Sequence, residues 1–281
     1  MGVDCVIQHI SDTATLNNGV KMPWLGLGVY KTPEGQEVRQ AVTTALARGY
    51  RSIDTAALYG NERGVGEALK ISELPREAVF VTTKVWNSEQ GYESTLKAFA
   101  ASQKRLGLDY VDLYLIHWPV KGKYKDTWRA LEKLYFDGWV RAIGVSNFQI
   151  HHLEDLLTDA VVVPAINQVE YHPRLTQENL LLYCKEHKIQ MEAWSPLMRG
   201  QVLTHPVVVE ISRKYGKTPA QVILRWDLEK QVVTIPKSVH PNRIDENANI
   251  FDFALEPQEV AQISSLNNNH RVGPDPDDFD F

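Results

Sequence analysis

Cysteine is nearly absent. Cys5 and Cys184 are the only two in 281 residues, and with no metal-ligand spacing between them they offer neither a disulfide framework nor a zinc module; a reducing, cytoplasmic setting is expected. Long apolar runs are missing as well. No stretch approaches the roughly 20 residues that cross a bilayer, and residues 1–18 include Asp4 and Asp12 without an apolar core, so neither a membrane anchor nor a signal peptide is expected. Charge of one sign is also lacking: 30 Lys and Arg against 35 Asp and Glu leave a net −5, which is no electrostatic footprint for nucleic acid. There is no internal repeat and no flexible linker.

A dinucleotide-binding G-x-G-x-x-G fingerprint is absent too. Gly26 and Gly28 have no third glycine in phase, and Gly60, Gly64 and Gly66 lack the Walker lysine. What the chain does carry is alternation. Short apolar strands are predicted at 24–29, 51–54, 79–84, 110–117, 140–145, 165–170, 190–193 and 232–235. Helical patterns separate them at 34–48, 61–70, 92–106, 124–137, 150–157, 177–188, and at 206–215 with 219–229, and one more follows at 257–266. Short apolar strands suit a parallel sheet buried on both faces, and eight of them alternating with helices predict a (β/α)8 TIM barrel, which typically needs roughly 250 residues. A single domain over 1–281 is therefore expected, with an N-terminal β-hairpin turning at Asn18-Gly19 and a Pro- and Asp-rich tail at 274–281 folded back as loop.

A polar or reactive residue ends one predicted strand after another: Asp54, Lys84, His117, Asn147, Gln168, Ser195 and Lys237. In a barrel of this kind the chemistry sits at the C-terminal strand ends. Asp54 and Lys84 close neighbouring strands about 4.8 Å apart and can meet as an ion pair. Tyr59, five residues past Asp54, can fold back over them beside His117. A tyrosine near pKa 10 is a poor acid at neutral pH, but a lysine cation stabilises tyrosinate and is expected to lower that value. Such a group suits protonation of a developing alkoxide. Taken singly, Lys84 reads as a snorkelling lysine, Tyr59 as packing, Asp54 as a helix cap and His117 as a core histidine; their common position points to chemistry.

The segments Ile53-Asp54-Thr55-Ala56-Ala57-Leu58-Tyr59, Val81-Thr82-Thr83-Lys84-Val85-Trp86, Leu115-Ile116-His117-Trp118-Pro119, Ile143-Gly144-Val145-Ser146-Asn147-Phe148 and Ile235-Pro236-Lys237-Ser238 resemble the signature segments of the aldo-keto reductases, most closely the bacterial glyoxal/methylglyoxal and 2,5-diketogluconate reductase-like branch. The resemblance implies NADPH-dependent reduction of aldehydes, small ketones and α-dicarbonyls, with Tyr59 as general acid, Lys84 tuning it, Asp54 supporting Lys84 and His117 orienting the carbonyl. It further implies that NADP(H) is held by Ser146, Asn147 and Gln168 at the carboxamide, by Trp194 stacked on the nicotinamide, and by Ser195 and Leu197. Lys237, Ser238 and Arg243 would bind the 2′-phosphate, with Glu246 and Asn247 near the adenine. No metal is expected, and a monomer is.

Trp24, Tyr30, Trp86 and Trp118 are expected to wall the substrate pocket, which short segments at 118–123 and 196–204 would leave shallow and open. Met198 stands where the common Ser-Pro-Leu-Gly pattern has glycine. Three rival readings differ in chemistry. A metal-dependent amidohydrolase using His117, His172 and Asp54 needs histidines ending strand one, where Gly28-Val29-Tyr30 stands. An aldolase needs a depressed Lys84 pKa, which Asp54 opposes. The third is an NADPH-binding sensing subunit with little turnover.

Overall fold

The computed structural model describes residues 7–279; the expectations about Cys5 and the signal-free start fall partly outside them. The chain opens with strands β1 (Thr13–Thr15) and β2 (Lys21–Pro23), paired antiparallel. Gly19 turns between them at φ +85, a left-handed conformation that glycine adopts without a Cβ penalty. Asn17 and Asn18 donate their side-chain amides to the carbonyls of Pro164 and Arg141 at 3.0 and 2.9 Å. Both acceptors lie at the N-terminal ends of barrel strands, so the expected hairpin caps the barrel from below.

The barrel strands are β3 (Leu27–Gly28), β4 (Ser52–Asp54), β5 (Phe80–Val85) and β6 (Val111–Ile116), then β7 (Val140–Ser146), β8 (Ile166–Glu170), β9 (Gln190–Trp194) and β10 (Val233–Thr234). Each pairs in parallel with the next. Parallel bridges from Leu25 to Thr234 and from Gly28 to Lys237 close the ring. At this seam the regular strands are shorter than predicted, and the join is carried by Gly26 N–H to the Thr234 carbonyl and Thr234 N–H to the Trp24 carbonyl, both at 3.0 Å, and by Gly28 N–H to the Pro236 carbonyl at 3.2 Å. The strands are buried on both faces, as all six residues of β6 illustrate. Its one charge, Asp112, is neutralised at the barrel's lower end by Arg76 and Arg141, each at 2.6 Å.

Around the sheet run α1 (Gln36–Ala47), α2 (Glu62–Ile71), α3 (Tyr92–Leu106), α4 (Tyr124–Phe136) and α5 (Ile150–Leu157), followed by α6 (Glu178–Glu186), α7 (Pro206–Tyr215) and α8 (Pro219–Glu229). Helix α10 (Pro257–Ser264) then precedes the tail. A helix missing from the periodicity, α9 (Pro241–Ala248), buries only Ile244 and Asn247; so polar a segment carries almost no apolar pattern. Among the described residues no helix is long and apolar enough to cross a membrane.

Candidate active site

Asp54 is the last residue of β4, and Lys84 lies one residue inside the end of β5. Adjacent strands thus bring Lys84 Nζ to 2.6 Å from Asp54 Oδ1 and 2.9 Å from the Thr55 carbonyl. Both side chains are buried. A lone ammonium there would cost several kcal/mol, which the paired carboxylate offsets. Burial works against the Lys84 cation, but Asp54 and Tyr59 outweigh it and hold its pKa above the ordinary value.

Tyr59 closes a one-turn 3-10 segment, Ala57–Tyr59, that ends at Gly60. Asn61 anchors the following loop: its amide donates to the carbonyls of Val29 and Thr32, both at 2.9 Å, and its oxygen accepts from the Thr55 hydroxyl at 2.7 Å. The phenol ring lies 5.1 Å from Lys84 Nζ and 5.7 Å, edge-on, from the His117 ring. Burial pushes the Tyr59 phenol up to about 12 while Lys84 pulls it down. The expectation of a net lowering is therefore corrected. The lysine acts in the expected direction, but desolvation of the phenolate is larger.

His117 directly follows β6, and its carbonyl accepts from Asn147 Nδ2 at 3.0 Å. Burial and the nearby Lys84 cation hold its imidazole well below the ordinary value, so it is neutral near pH 7 and carries a single ring proton. Its Nδ1 is buried without a partner. Trp86 packs edge-on against this ring at 5.2 Å, and Tyr30 rests on Tyr59 at 4.9 Å. Tyr30, Trp86, Tyr59 and His117 thus share one mouth. Trp118 follows His117 directly, and Phe279 of the tail packs against it at a ring distance of 4.5 Å.

Trp24 does not join them. It lies three residues ahead of β3, at the start of the predicted strand, donating its amide to the Asp12 carbonyl and accepting from Thr234 N–H. Four residues ahead of Gly28, it lies about 13 Å below the mouth at 3.3 Å per residue. Closeness to a predicted strand could not tell its beginning from its end.

Ser146, Asn147, Gln168 and Trp194 form a single hydrogen-bonded cluster. Ser146 Oγ donates to the Gln168 carbonyl at 2.8 Å; Asn147 Nδ2 also donates to Ser146 Oγ at 3.2 Å, and Asn147 Oδ1 accepts from Trp194 Nε1 at 2.8 Å. Asn147 holds φ +66, a conformation asparagine tolerates better than most residues. Gln168 lies two residues inside β8, not at its end, and its amide donates to Asp54 Oδ2 and to Glu192 Oε2, both at 2.8 Å. Glu192 was not foreseen. A glutamate between Met191 and Ala193, inside a strand of a buried parallel sheet, was the available signal. Trp194 is braced by the tail as well: Glu170 accepts the amides of Val272 and Gly273, and a Cβ on Gly273 would fall 2.4 Å from the indole.

After β9 the backbone turns through left-handed conformations at Ser195, Met198 and Arg199, with φ of 54, 48 and 54. Met198 therefore keeps a glycine-like backbone and turns its side chain fully into the core. Leu197 packs partly buried against that core. On the far side of the mouth, Lys237 and Arg243 flank the start of α9, exposed and without a carboxylate partner among the described residues. Ser238 Oγ accepts the His240 amide at 3.1 Å, Glu246 accepts from the Thr218 hydroxyl at 2.7 Å, and Asn247 is buried. Two cations at a helix N-terminus oppose its dipole unless an anion sits between them. The donor set therefore fits a phosphate.

His172 is committed to Glu170 at 2.8 Å, away from any metal-hydrolase role. Among the described residues one trio, His151, His152 and Asp277, lies close enough to share an ion. His152 Nδ1, however, accepts the Gln149 amide at 3.1 Å; in neutral imidazole the other nitrogen then carries the proton and cannot ligate. A cavity of about 620 Å³ between the hairpin and α6, lined by Leu16, Leu181 and Met191, is at the barrel's lower end, away from this chemistry.

Residues 24–268 match the model of the aldo/keto reductase family. The chain is 61% identical over 272 residues to a glyoxal reductase of Bacillus subtilis (strain 168), covering 97% of this chain and 99% of that protein. It is 47% identical over 268 residues to the methylglyoxal reductase DkgA of Escherichia coli (strain K12), covering 94% and 96%. Among solved structures, a mutant of Gox0644 in complex with NADPH superimposes with a TM-score of 0.92 at 42% identity, over 96% of this chain and 98% of that one.

Proposed function

The chain belongs to the aldo/keto reductase family, and from that premise we propose that it reduces small aldehydes and α-dicarbonyls with NADPH, Tyr59 delivering the proton. The observation that carries this is the buried Lys84–Asp54 pair at 2.6 Å set beneath the Tyr59 ring and beside a neutral His117. When bound, NADPH supplies the hydride for the carbonyl carbon. The protein's own residues do the rest. Tyr59 hydrogen-bonds the carbonyl oxygen and releases its proton as negative charge builds there. Lys84 lies close enough to favour the phenolate at that moment, when the desolvation that raises the phenol also strengthens the cation's pull. Asp54 keeps Lys84 charged. His117, carrying one ring proton, can donate to the same oxygen and fix its approach. The aromatic wall of Tyr30, Trp86 and Trp118 excludes water around a small substrate.

The reading assigns the cofactor's 2′-phosphate to Lys237, Ser238 and Arg243 and its adenine end to Glu246 and Asn247. The carboxamide falls to the Ser146–Asn147–Gln168 cluster, where Gln168 has only its carbonyl left to offer, and the nicotinamide to Trp194, with Ser195 and Leu197 along the loop. The named glyoxal and methylglyoxal reductases among its relatives support a small dicarbonyl as substrate. A cytoplasmic monomer is the setting proposed, in keeping with the buried, free Cys184 thiol. The test is cofactor oxidation with methylglyoxal and an aromatic aldehyde, NADPH beside NADH. Carbonyl-dependent oxidation that favours NADPH is expected. Binding without turnover would instead favour a sensing subunit, and equal efficiency with NADH would remove the phosphate assignment.

A further inference from the structure

A second carboxyl group lies beside the one that supports Lys84. Glu192, third residue of β9, is fully buried and stands in register with Gln168 on β8. The Gln168 amide has two hydrogens. It spends one on Asp54 Oδ2 and one on Glu192 Oε2, each at 2.8 Å. Asp54 carries Lys84 on its other oxygen at 2.6 Å. Glu192 Oε1, by contrast, is buried without any partner. One cation thus serves two carboxyl groups joined by a single amide.

The charged groups facing Glu192 are Asp54 from β4 and Lys84 from β5. Its register partners, Gln168 on β8 and Val233 on β10, bring no charge. Two carboxylates that share a site do not both ionise cheaply, and a bare buried carboxylate oxygen adds a desolvation cost. Asp54 is the one held by the ammonium, so the proton resides on Glu192.

We propose that Glu192 is a positioning residue for carbonyl reduction: as a neutral acid it holds Gln168 against Asp54 and keeps the cluster beneath Tyr59 at zero net charge, and its ionisation disfavours the tyrosinate and slows proton delivery. The inference rests on the assignment of Tyr59 as the acid. Burial first, then the neighbouring Asp54 charge, push the Glu192 carboxyl up to about 8, against Gln168 and Lys84. The change of state therefore falls within the range where a reductase can be assayed.

Turnover of methylglyoxal with NADPH, measured from about pH 6 to 9 for the wild type and Glu192→Gln and scaled to each protein's own pH 6 value, tests it. At an effective dielectric of about 20, a unit charge about 12 Å from the phenol is worth about tenfold in rate. The wild type should lose about that much around pH 8, and the variant should lack this fall. Superimposable profiles, or a loss by the same factor at every pH, would overturn the proposal. A second readout needs no cofactor. A folded-state pKa raised from 4.5 to about 8 makes this group's contribution to stability fullest below the lower value and drains it as pH rises through the upper one. Urea unfolding should therefore show the wild type losing stability relative to Glu192→Gln over that window, and parallel curves would contradict the proposal. If the glutamine variant does not fold, Glu192→Met serves in both measurements. A wild type that oxidises no NADPH with any carbonyl, or that keeps its rate in Tyr59→Phe, would sink the Tyr59 assignment itself; matching pH profiles with Tyr59 dependence intact would sink only the role of Glu192.

Discussion

Burying Lys84 is tolerable only because Asp54 is there, and the converse holds for Asp54. Lys84→Met would leave that carboxylate with the Gln168 amide alone, and the expected cost is about 3–5 kcal/mol. Urea denaturation reads it; a loss under about 1 kcal/mol would mean the pair is solvated after all. His117 leads to a pH prediction. Its folded-state pKa lies well below 6.5, so the unfolded chain takes up a proton first as pH falls. Its contribution to stability is complete above that value and drains below it, by up to about 1.4 kcal/mol per pH unit. Wild type should accordingly lose stability relative to His117→Gln between pH 6.5 and 5, and parallel curves would argue against a neutral buried ring. The contact of Lys84 with Asp54, and the gathering of Tyr59 and His117 around them, were legible because strand order and strand ends alone determine those neighbours. The balance of charge was not. It depends on depth of burial and on Glu192, and neither is visible in spacing.

The eight strands were legible because each is a short apolar run buried on both faces, so no other pattern competes. Helix α9 was not, since only two of its eight residues face the core. Its start was nonetheless singled out through Lys237 and Arg243, because the resemblance carried by Ile235-Pro236-Lys237-Ser238 implies a phosphate site there. Lys237→Ala should weaken NADPH binding about tenfold, the weight of one charge-assisted hydrogen bond, and leave NADH nearly untouched. Equal weakening of both, measured by titration of protein fluorescence, would move the phosphate elsewhere. The tail was foreseen as a returning loop, but the contact of Phe279 with Trp118 and the seat of Gly273 on Trp194 were not. Packing by a segment without secondary structure leaves no period to read.

The four central side chains come from the ends of three neighbouring strands and the loop after the first of them, so they meet only while the ring is closed. Closure depends on a thin seam. A Cβ on Gly28 would lie 2.9 Å from the Ile235 carbonyl, and that carbonyl is backbone that cannot step aside. Gly28→Val should cost about 1–3 kcal/mol as an overpacked site and lower turnover with it; a variant with unchanged thermal midpoint would show that the seam has slack. The proposal that Tyr59 delivers the proton within that closed ring is tested most directly by Tyr59→Phe in a quench-free assay of methylglyoxal-dependent NADPH oxidation, paired with NADPH titration. The phenylalanine variant should bind NADPH as tightly as the wild type and turn over at least about 10²-fold more slowly. Turnover near the wild-type rate with the same affinity would contradict the assignment of Tyr59 as the acid.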